Sequence, residues 1–464
     1  MDPYASALDQ AEAIRRREVS SVELTTAYLD RIEKLNPKLN AYVLITPEVA
    51  LAQAQAADAA VRADGADASN GKPLRGVPVS IKDLVSLAGY PMTLGSKAFE
   101  DTTLPIDFFP VSRLKEEECP ILGKTNLSEF GTRPTTEHGL FGATHNPWHL
   151  EHSAGGSSGG AAAAVAAGLC AFAHGTDGGG SVRIPSSCCG TVGLKPSRGR
   201  ISPGPLLGEH WAGLSTDGSI ARTVADAAAG LDAMAGHLPG DAYWSEFEGR
   251  FADHARPADR KLRVGFTVSA PTAVESDVAG CVRDVAHLLE ELGHDVTDGG
   301  PDTEPFRVPF QLIVISGLGS LPIADETVLD PFNALALALA KEVTAIDYVR
   351  AVDAIRMHSR VVVDFWDRHD VLITPTLPTT APRLNTLGVD LATAGVDYID
   401  FCSFTFPYNC TGQPAISLPL GVDSAGLPIG VQLVGPPRGE AVILRLAAQL
   451  EQARPWKGRS PKLA

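Results

Sequence analysis

Two loops rich in glycine and serine hold the residues best suited to chemistry. They are Gly155-Gly156-Ser157-Ser158-Gly159-Gly160 and Gly175-Thr176-Asp177-Gly178-Gly179-Gly180-Ser181. Glycine at this density costs backbone entropy, roughly 0.5–1 kcal/mol each against alanine in regular structure. The usual compensation is a backbone that approaches a ligand or a neighbour closely, or that takes dihedrals other residues avoid. Three readings follow. A phosphate-binding loop is poorly matched: Gly160 is followed by Ala161, so Gly-x-x-x-x-Gly-Lys-[Ser/Thr] is absent, and neither loop is Gly-x-Gly-x-x-Gly. Small residues that let a helix pack tightly on a strand are the second reading. The third is acyl transfer. Backbone N–H groups of Gly178, Gly179, Gly180 and Ser181 would face a developing oxyanion, with the Ser181 hydroxyl beside them as nucleophile.

A serine hydroxyl is a weak nucleophile and needs a base. No Gly-x-Ser-x-Gly elbow surrounds Ser181, so a His–Asp pair of the α/β-hydrolase kind is not the natural partner. A neutral lysine can serve instead when burial depresses its pKa toward about 7–8. Lys82 closes the apolar run Gly76-Val77-Pro78-Val79-Ser80-Ile81 and is a candidate for that environment. The alternative is a strand-end lysine with no chemical role.

The elements around these residues alternate. Pro120-Ile121-Leu122-Gly123-Lys124-Thr125-Asn126 repeats the pattern of an apolar strand running into a polar tip. An Ala-rich helix over 161–167 and a strand over 169–173 follow, before the second glycine loop. Further strands are read at 262–268, 295–297, 371–375, 414–419 and 429–434, with helices at 282–292 and 440–452 and a helical stretch over 304–360. Short apolar strands between helices predict an α/β fold, a single large mixed β-sheet covered by helices on both faces. In such sheets, chemistry gathers at strand ends. Residues 1–70 read as an N-terminal helical arm: Ser20 or Ser21 caps a helix ended by Pro37, and a second helix spans 48–63.

Composition excludes some classes. Apolar residues make up 44% of the 464, enough for a large core, and the net charge of −16 is wrong for a general nucleic-acid binder. The first twenty residues carry Asp2, Asp9 and Glu12 without an apolar core run, unlike a signal peptide, and the run Ala161–Ala173 is too short to span a bilayer. Seven cysteines without a Cys-x-x-Cys predict reduced thiols in a cytoplasmic protein.

Several segments together resemble the amidase signature family. They are Gly-Val-Pro-Val-x-Ile-Lys-Asp (76–83), Gly-Lys-Thr-Asn-x-x-Glu-Phe (123–130), Asn-Pro-Trp (146–148) and the two glycine loops, the second continuing as Ser-Val-Arg-x-Pro (181–185). Cys189-Gly-x-Val-Gly-Leu-Lys-Pro, Ile220-Ala-Arg-Thr-Val-x-Asp-Ala, Gly412-x-Pro-Ala-Ile-Ser-x-Pro and Gly426-Leu-Pro-Ile-Gly-Val-Gln-Leu continue the likeness along nearly the whole chain. The resemblance implies a domain over 71–464, with a catalytic core at about 76–230 and a variable substrate region at about 300–410. It implies that Lys82, Ser157 and Ser181 form a Ser-cisSer-Lys triad. Ser181 would carry the acyl group, and Ser157, after a cis peptide bond, would relay protons to Lys82. Ser158, Asp177 and Arg183 would support the site. No cofactor and no metal are implied. The expected partner is a small-molecule amide, with neither nucleic acid nor membrane, and a homodimer is compatible. The stretch 194–205 is similar to bacterial free-standing amidases, including 6-aminohexanoate-cyclic-dimer-hydrolase-like enzymes. The glutaminase subunit of a tRNA-dependent amidotransferase is the alternative.

Other residues compete for attention. His138, His145, His149 and His152 lie close in sequence, but they form no His-Glu-x-x-His motif and flank Asn146-Pro147. Trp211, Phe404, Phe406 and Tyr408 could line an acyl pocket or simply fill the core. Thr125 and Asn126 could line the site or brace a strand end.

Overall fold

Most strands of this protein are buried on both faces, so their sequences are continuous apolar or small-residue runs rather than alternating ones. The computed structural model describes residues 2–65, 71–137, 139–257 and 260–463. In chain order the strands are β1 (Tyr42–Ile45), β2 (Val79–Lys82), β3 (Ile121–Thr125), β4 (His145–Asn146), β5 (His149–Ser153), β6 (Phe172–Asp177) and β7 (Val192–Lys195). Then come β8 (Thr216–Ala221), β9 (Arg263–Phe266), β10 (Asp295–Asp298), β11 (Val371–Pro375), β12 (Ala415–Val422) and β13 (Pro428–Val434). Strands β4 and β5 form a separate hairpin. The other 11 build one sheet in the order β1-β3-β2-β6-β8-β7-β12-β13-β11-β9-β10. Pairing is parallel along β3–β2–β6 and β11–β9–β10 and antiparallel elsewhere, so the sheet is mixed, as expected.

The central strands place the chemistry. In the parallel pair β2–β6, Val79 sits opposite Phe172 and Ser80 opposite Ala173. The C-terminal ends of both strands therefore leave the sheet at one edge, carrying Lys82 from β2 and Thr176 and Asp177 from β6. From sequence alone β6 ends at residue 173, and Gly175–Asp177 read as a loop tip. They are strand instead, because β8 pairs with them as far as Asp177 opposite Thr216. A strand whose last four residues are His174, Gly175, Thr176 and Asp177 has no apolar signature.

The helix Gly159–Ala166 follows the first glycine loop and is buried along its whole length. A Cβ at Gly160 would stand 2.4 Å from both the Ala41 carbonyl oxygen and the Asn126 amide nitrogen. Here the packing reading of a glycine is the correct one.

At the N-terminus, helices run over Ala7–Arg15, Ser21–Leu39 and Pro47–Asp64. Ser20 closes a capping box with Glu23. Pro37 does not end the second helix. It sits within its last turn, and Asn40, at φ 51°, terminates it in the left-handed conformation. Strand β1, which the sequence does not announce, pairs with β3 and ties this region into the sheet. The expected end of the arm, near residue 70, lies outside the described residues.

At the opposite edge the expected β-α-β unit is present as β9, the helix Ser276–Glu291 and β10. Between β10 and β11 come the helices Arg307–Gly319, Pro331–Ala340 and Ala345–Val363, and the helix Ala394–Phe401 follows β11. Phe306, Phe310, Ile313, Trp366 and Tyr408 share a second apolar core with this region.

Candidate active site

Lys82 is completely buried at the end of β2. Its Nζ donates to Ser157 Oγ at 2.7 Å and to Thr176 Oγ1 at 2.7 Å. Burial depresses its pKa from the ordinary lysine value to about 7, against the opposing pull of Asp177 and Asp217. A lysine in this state is half neutral near physiological pH and can both take and return a proton.

The peptide bond between Gly156 and Ser157 is cis. A Cβ on Gly156 would stand within 2.8 Å of the Thr135 backbone, so this position accepts glycine only. Ser158 ties the two loops together: its N–H donates to the Ser181 carbonyl at 3.2 Å, and its hydroxyl donates to the Thr176 carbonyl at 3.2 Å.

Asp177 and Arg183 bracket the second loop. Arg183 grips the Asp177 carboxylate with Nη2 at 2.8 Å and Nε at 3.0 Å, and both side chains are fully buried. The remaining guanidinium nitrogen, Nη1, donates to Gln432 Oε1 at 2.7 Å and to the Thr405 carbonyl at 2.9 Å. Asn409 Nδ2 donates to the Asp177 carbonyl at 2.7 Å and to its carboxylate at 2.9 Å. Burial works to raise the Asp177 carboxyl, but the Arg183 charge and hydrogen bonds, aided by Lys195 and Asn409, hold it down at about 2. This planar, bidentate pairing fixes both ends of the segment 178–182. Among the described residues, the N–H groups of Gly178, Gly179, Gly180 and Ser181 have no protein acceptor. Gly180 takes φ 130°, where an L side chain is strained, and a Cβ there would meet Thr405 Oγ1 at 2.4 Å.

Two cavities meet at Ser181. One, of about 410 Å³, is lined by Ser157, Thr176, Gly178, Ser181, His210 and Asp217 among others. The second, of about 450 Å³, is lined by Gly179, Ser181, Ile184, Phe310 and Val314 among others. The structure thus brings Lys82, Ser157 and Thr176 into one hydrogen-bonded cluster, with Ser181 on the same cavity wall as Ser157 and Thr176.

Sequence reasoning missed Thr176 as a lysine partner, although its place between Gly175 and Asp177 put it in the loop. It also missed the buried pair His174 Nε2–Asp217 Oδ1, at 2.6 Å, whose His174 Nδ1 accepts from the Lys82 backbone N–H at 3.4 Å. Removing the hydroxyl in Thr176→Val deletes one of two side-chain contacts that orient the Lys82 amine. A neutral hydrogen bond of this kind is worth about 0.5–1.5 kcal/mol, so kcat is expected to fall about three- to tenfold, measured by steady-state kinetics on any accepted amide.

The other candidates resolve into structure. Asn126 Nδ2 donates to the Asn40 and Gly142 carbonyls, and Thr125 Oγ1 donates to the Ile81 carbonyl, so both brace strand ends. Trp211 lines both cavities, whereas Phe404, Phe406 and Tyr408 are buried. His145 and His152 are engaged with the Leu150 and Ala381 carbonyls, and His149 packs edge-on against His152. Among the described residues no group of three or more His, Cys, Asp or Glu side chains is arranged to hold a metal. His138 lies outside them. The seven cysteines are all free.

The Amidase family model matches residues 23–444. The chain belongs to the amidase signature family. It is an amidase, a hydrolase that acts on amides. It is 37% identical over 494 residues to the 6-aminohexanoate-cyclic-dimer hydrolase of Paenarthrobacter ureafaciens, covering 100% of this chain and 97% of that one. A solved structure of 6-aminohexanoate cyclic dimer hydrolase complexed with substrate superposes with a TM-score of 0.92 at 35% identity, covering 100% of this chain and 99% of that one. A solved glutamyl-tRNA(Gln) amidotransferase subunit from Thermotoga maritima gives a TM-score of 0.81 at 27% identity, covering 99% of this amidase and 98% of that chain. Among the described residues of the amidase, no helix is long and apolar enough to cross a membrane.

Proposed function

We propose that this amidase cleaves carboxylic amides through an acyl-ester on Ser181, with Ser157 passing protons between Ser181 and Lys82. One observation carries the reading: a fully buried lysine with a pKa near 7 is hydrogen-bonded at 2.7 Å to Ser157, which shares a cavity wall with Ser181. Neutral Lys82 takes the Ser157 proton as Ser157 takes that of Ser181. Ser181 Oγ forms a bond to the substrate carbonyl carbon, and the carbonyl electron pair moves onto oxygen. The N–H groups of Gly178, Gly179, Gly180 and Ser181 receive that oxyanion, a role supported by their having no acceptor among the described residues. The proton returns through Ser157 to the amine as the C–N bond breaks, leaving the ester on Ser181. Water then bonds to the acyl carbon as its proton passes through Ser157 to Lys82, and as the bond to Ser181 Oγ breaks that proton returns to Oγ and the acid leaves. Ser158, Asp177 and Arg183 hold the two loops and touch no reacting atom. The path needs no metal and no cofactor.

In this reading residues 76–230 carry the catalytic core and 300–410 the variable substrate region, and the enzyme acts without partner subunits. A homodimer in the cytoplasm is compatible with it. The higher identity and TM-score to 6-aminohexanoate cyclic dimer hydrolase than to the amidotransferase subunit favour this over the glutaminase reading. The purified chain alone, assayed for ammonia or amine release from unlike simple amides and from glutamine, tests the choice. Turnover of simple amides is expected. Activity confined to glutamine and to the presence of partner subunits would overturn it.

A further inference from the structure

We infer that the two cavities meeting at Ser181 divide the substrate between them, the acyl group lying in the one lined by Phe310 and Val314 and the leaving amine in the one lined by His210 and Asp217. The enzyme therefore favours amides of apolar carboxylic acids and disfavours acyl groups that carry an ammonium group near the carbonyl. This rests on the proposed roles of Ser157 and Ser181.

The assignment of sides comes from the proton. A leaving amine must be protonated as it departs, so it has to sit on the side of the group that delivers the proton. Ser157 and Thr176 line the cavity that contains His210 and Asp217 and do not line the other. The amine therefore leaves into the first cavity. An amide carbonyl held at Ser181 then directs its acyl substituent into the second.

The chemistry of the second cavity matches an apolar acyl group. Phe310, Val314, Ile315, Phe332 and Ile399 form much of its wall. Among the described residues its only charged side chain is Arg133, which is buried, paired with Asp330 and placed over the Phe332 ring at 5.3 Å. Its Nη2 is spent on Asp330, while its Nε has no hydrogen-bond partner among the described residues. The mouth is apolar too: Leu335 and Val396 line the cavity while remaining 38% and 53% exposed. The uncharged polar side chains of Thr132, Gln311 and Tyr398 also line it. The α-ammonium of glutamine would find no carboxylate among the described residues of this wall, and burying unpaired charge is strongly unfavourable. Each acyl methylene moved from water onto such a wall increases binding roughly three- to fourfold.

The test measures kcat/KM for acetamide, butyramide, hexanamide and octanamide, for glutamine, and for the N-alkyl series from N-methyl- to N-butylacetamide. The expected result is a rise of about threefold or more per acyl methylene up to hexanamide, and a value for glutamine at least about a hundredfold below hexanamide. Val314→Phe, which fills the acyl cavity, is expected to lower the hexanamide-to-acetamide ratio at least about tenfold, while Val314→Ala raises the ratio of octanamide to hexanamide; because Val314 does not line the first cavity, the N-alkyl ratios are expected to stay unmoved in both variants. A flat acyl series, glutamine equal to hexanamide, acyl ratios unmoved in both variants, or N-alkyl ratios that move with Val314 would overturn the inference while leaving the amidase mechanism intact. Failure to turn over any amide of either series would instead overturn the mechanism on which it rests.

Discussion

Ser181→Ala is expected to abolish turnover, with kcat reduced by about 10⁴-fold or more, while the protein keeps its fold. The loss is large because the proposed nucleophile has no neighbour able to replace it. Ser157 is committed to Lys82 at 2.7 Å, and Ser158 spans to the Thr176 backbone. The fold is expected to survive because Ser181 contributes its carbonyl to the loop contact with Ser158, not its hydroxyl, and alanine keeps that carbonyl. Whatever rate is left reports binding and the oxyanion donors alone. Unchanged circular dichroism and thermal melting, beside the lost rate, separate this outcome from misfolding. Substantial residual activity would mean that a different group attacks the carbonyl.

The second large effect belongs to Lys82. Lys82→Ala is expected to cut kcat by about 10²–10⁴-fold, the range for removal of a positioned general base. The accompanying pH dependence is the sharper signature. Only the neutral amine can accept a proton, and burial holds the folded-state pKa at about 7, below the usual lysine range. In wild type, kcat/KM is therefore expected to be level above about pH 7 and to fall about tenfold per unit below it, as Lys82 becomes protonated. A stopped or coupled assay over that range reads the profile directly. In Lys82→Ala the acid limb is expected to vanish with the residue that causes it. A wild-type rate independent of pH through this window would point to a base that does not titrate there.

Fold and site are legible in the sequence to different depths. The α/β class and the mixed sheet follow from short apolar strands such as Val371–Ile373, whose burial on both faces leaves them continuously apolar. The end of strand β6 escapes for the opposite reason. It runs through His174, Gly175, Thr176 and Asp177, polar or featureless residues that are strand only because β8 pairs with them. Pro37 misleads in a similar way: it gives up the N–H bond that another residue would make to the Glu33 carbonyl, yet the helix runs on to Leu39 and Asn40 provides the true stop. At the site, Lys82 and the two serines stand out through motif and spacing. Thr176 and Asp217 do not, because their importance comes from partners far away in sequence or across a strand pair. The glycines divide along the same line: Gly156 and Gly160 answer to backbone packing, while Gly180 belongs to the loop that offers free N–H groups. Composition cannot tell these cases apart.

The acyl-ester on Ser181 is the claim from which the rest follows. Rapid acid quench of the enzyme during turnover of a slow activated amide or ester, followed by intact-protein and peptide mass spectrometry, tests it directly. The expected result is a mass increase equal to the acyl group, located on the peptide containing Ser181, lost on further incubation in water and absent from Ser181→Ala. An acyl group found on Ser157 or another residue, or turnover with no covalent species in wild type under conditions that trap a known acyl-enzyme, would contradict it.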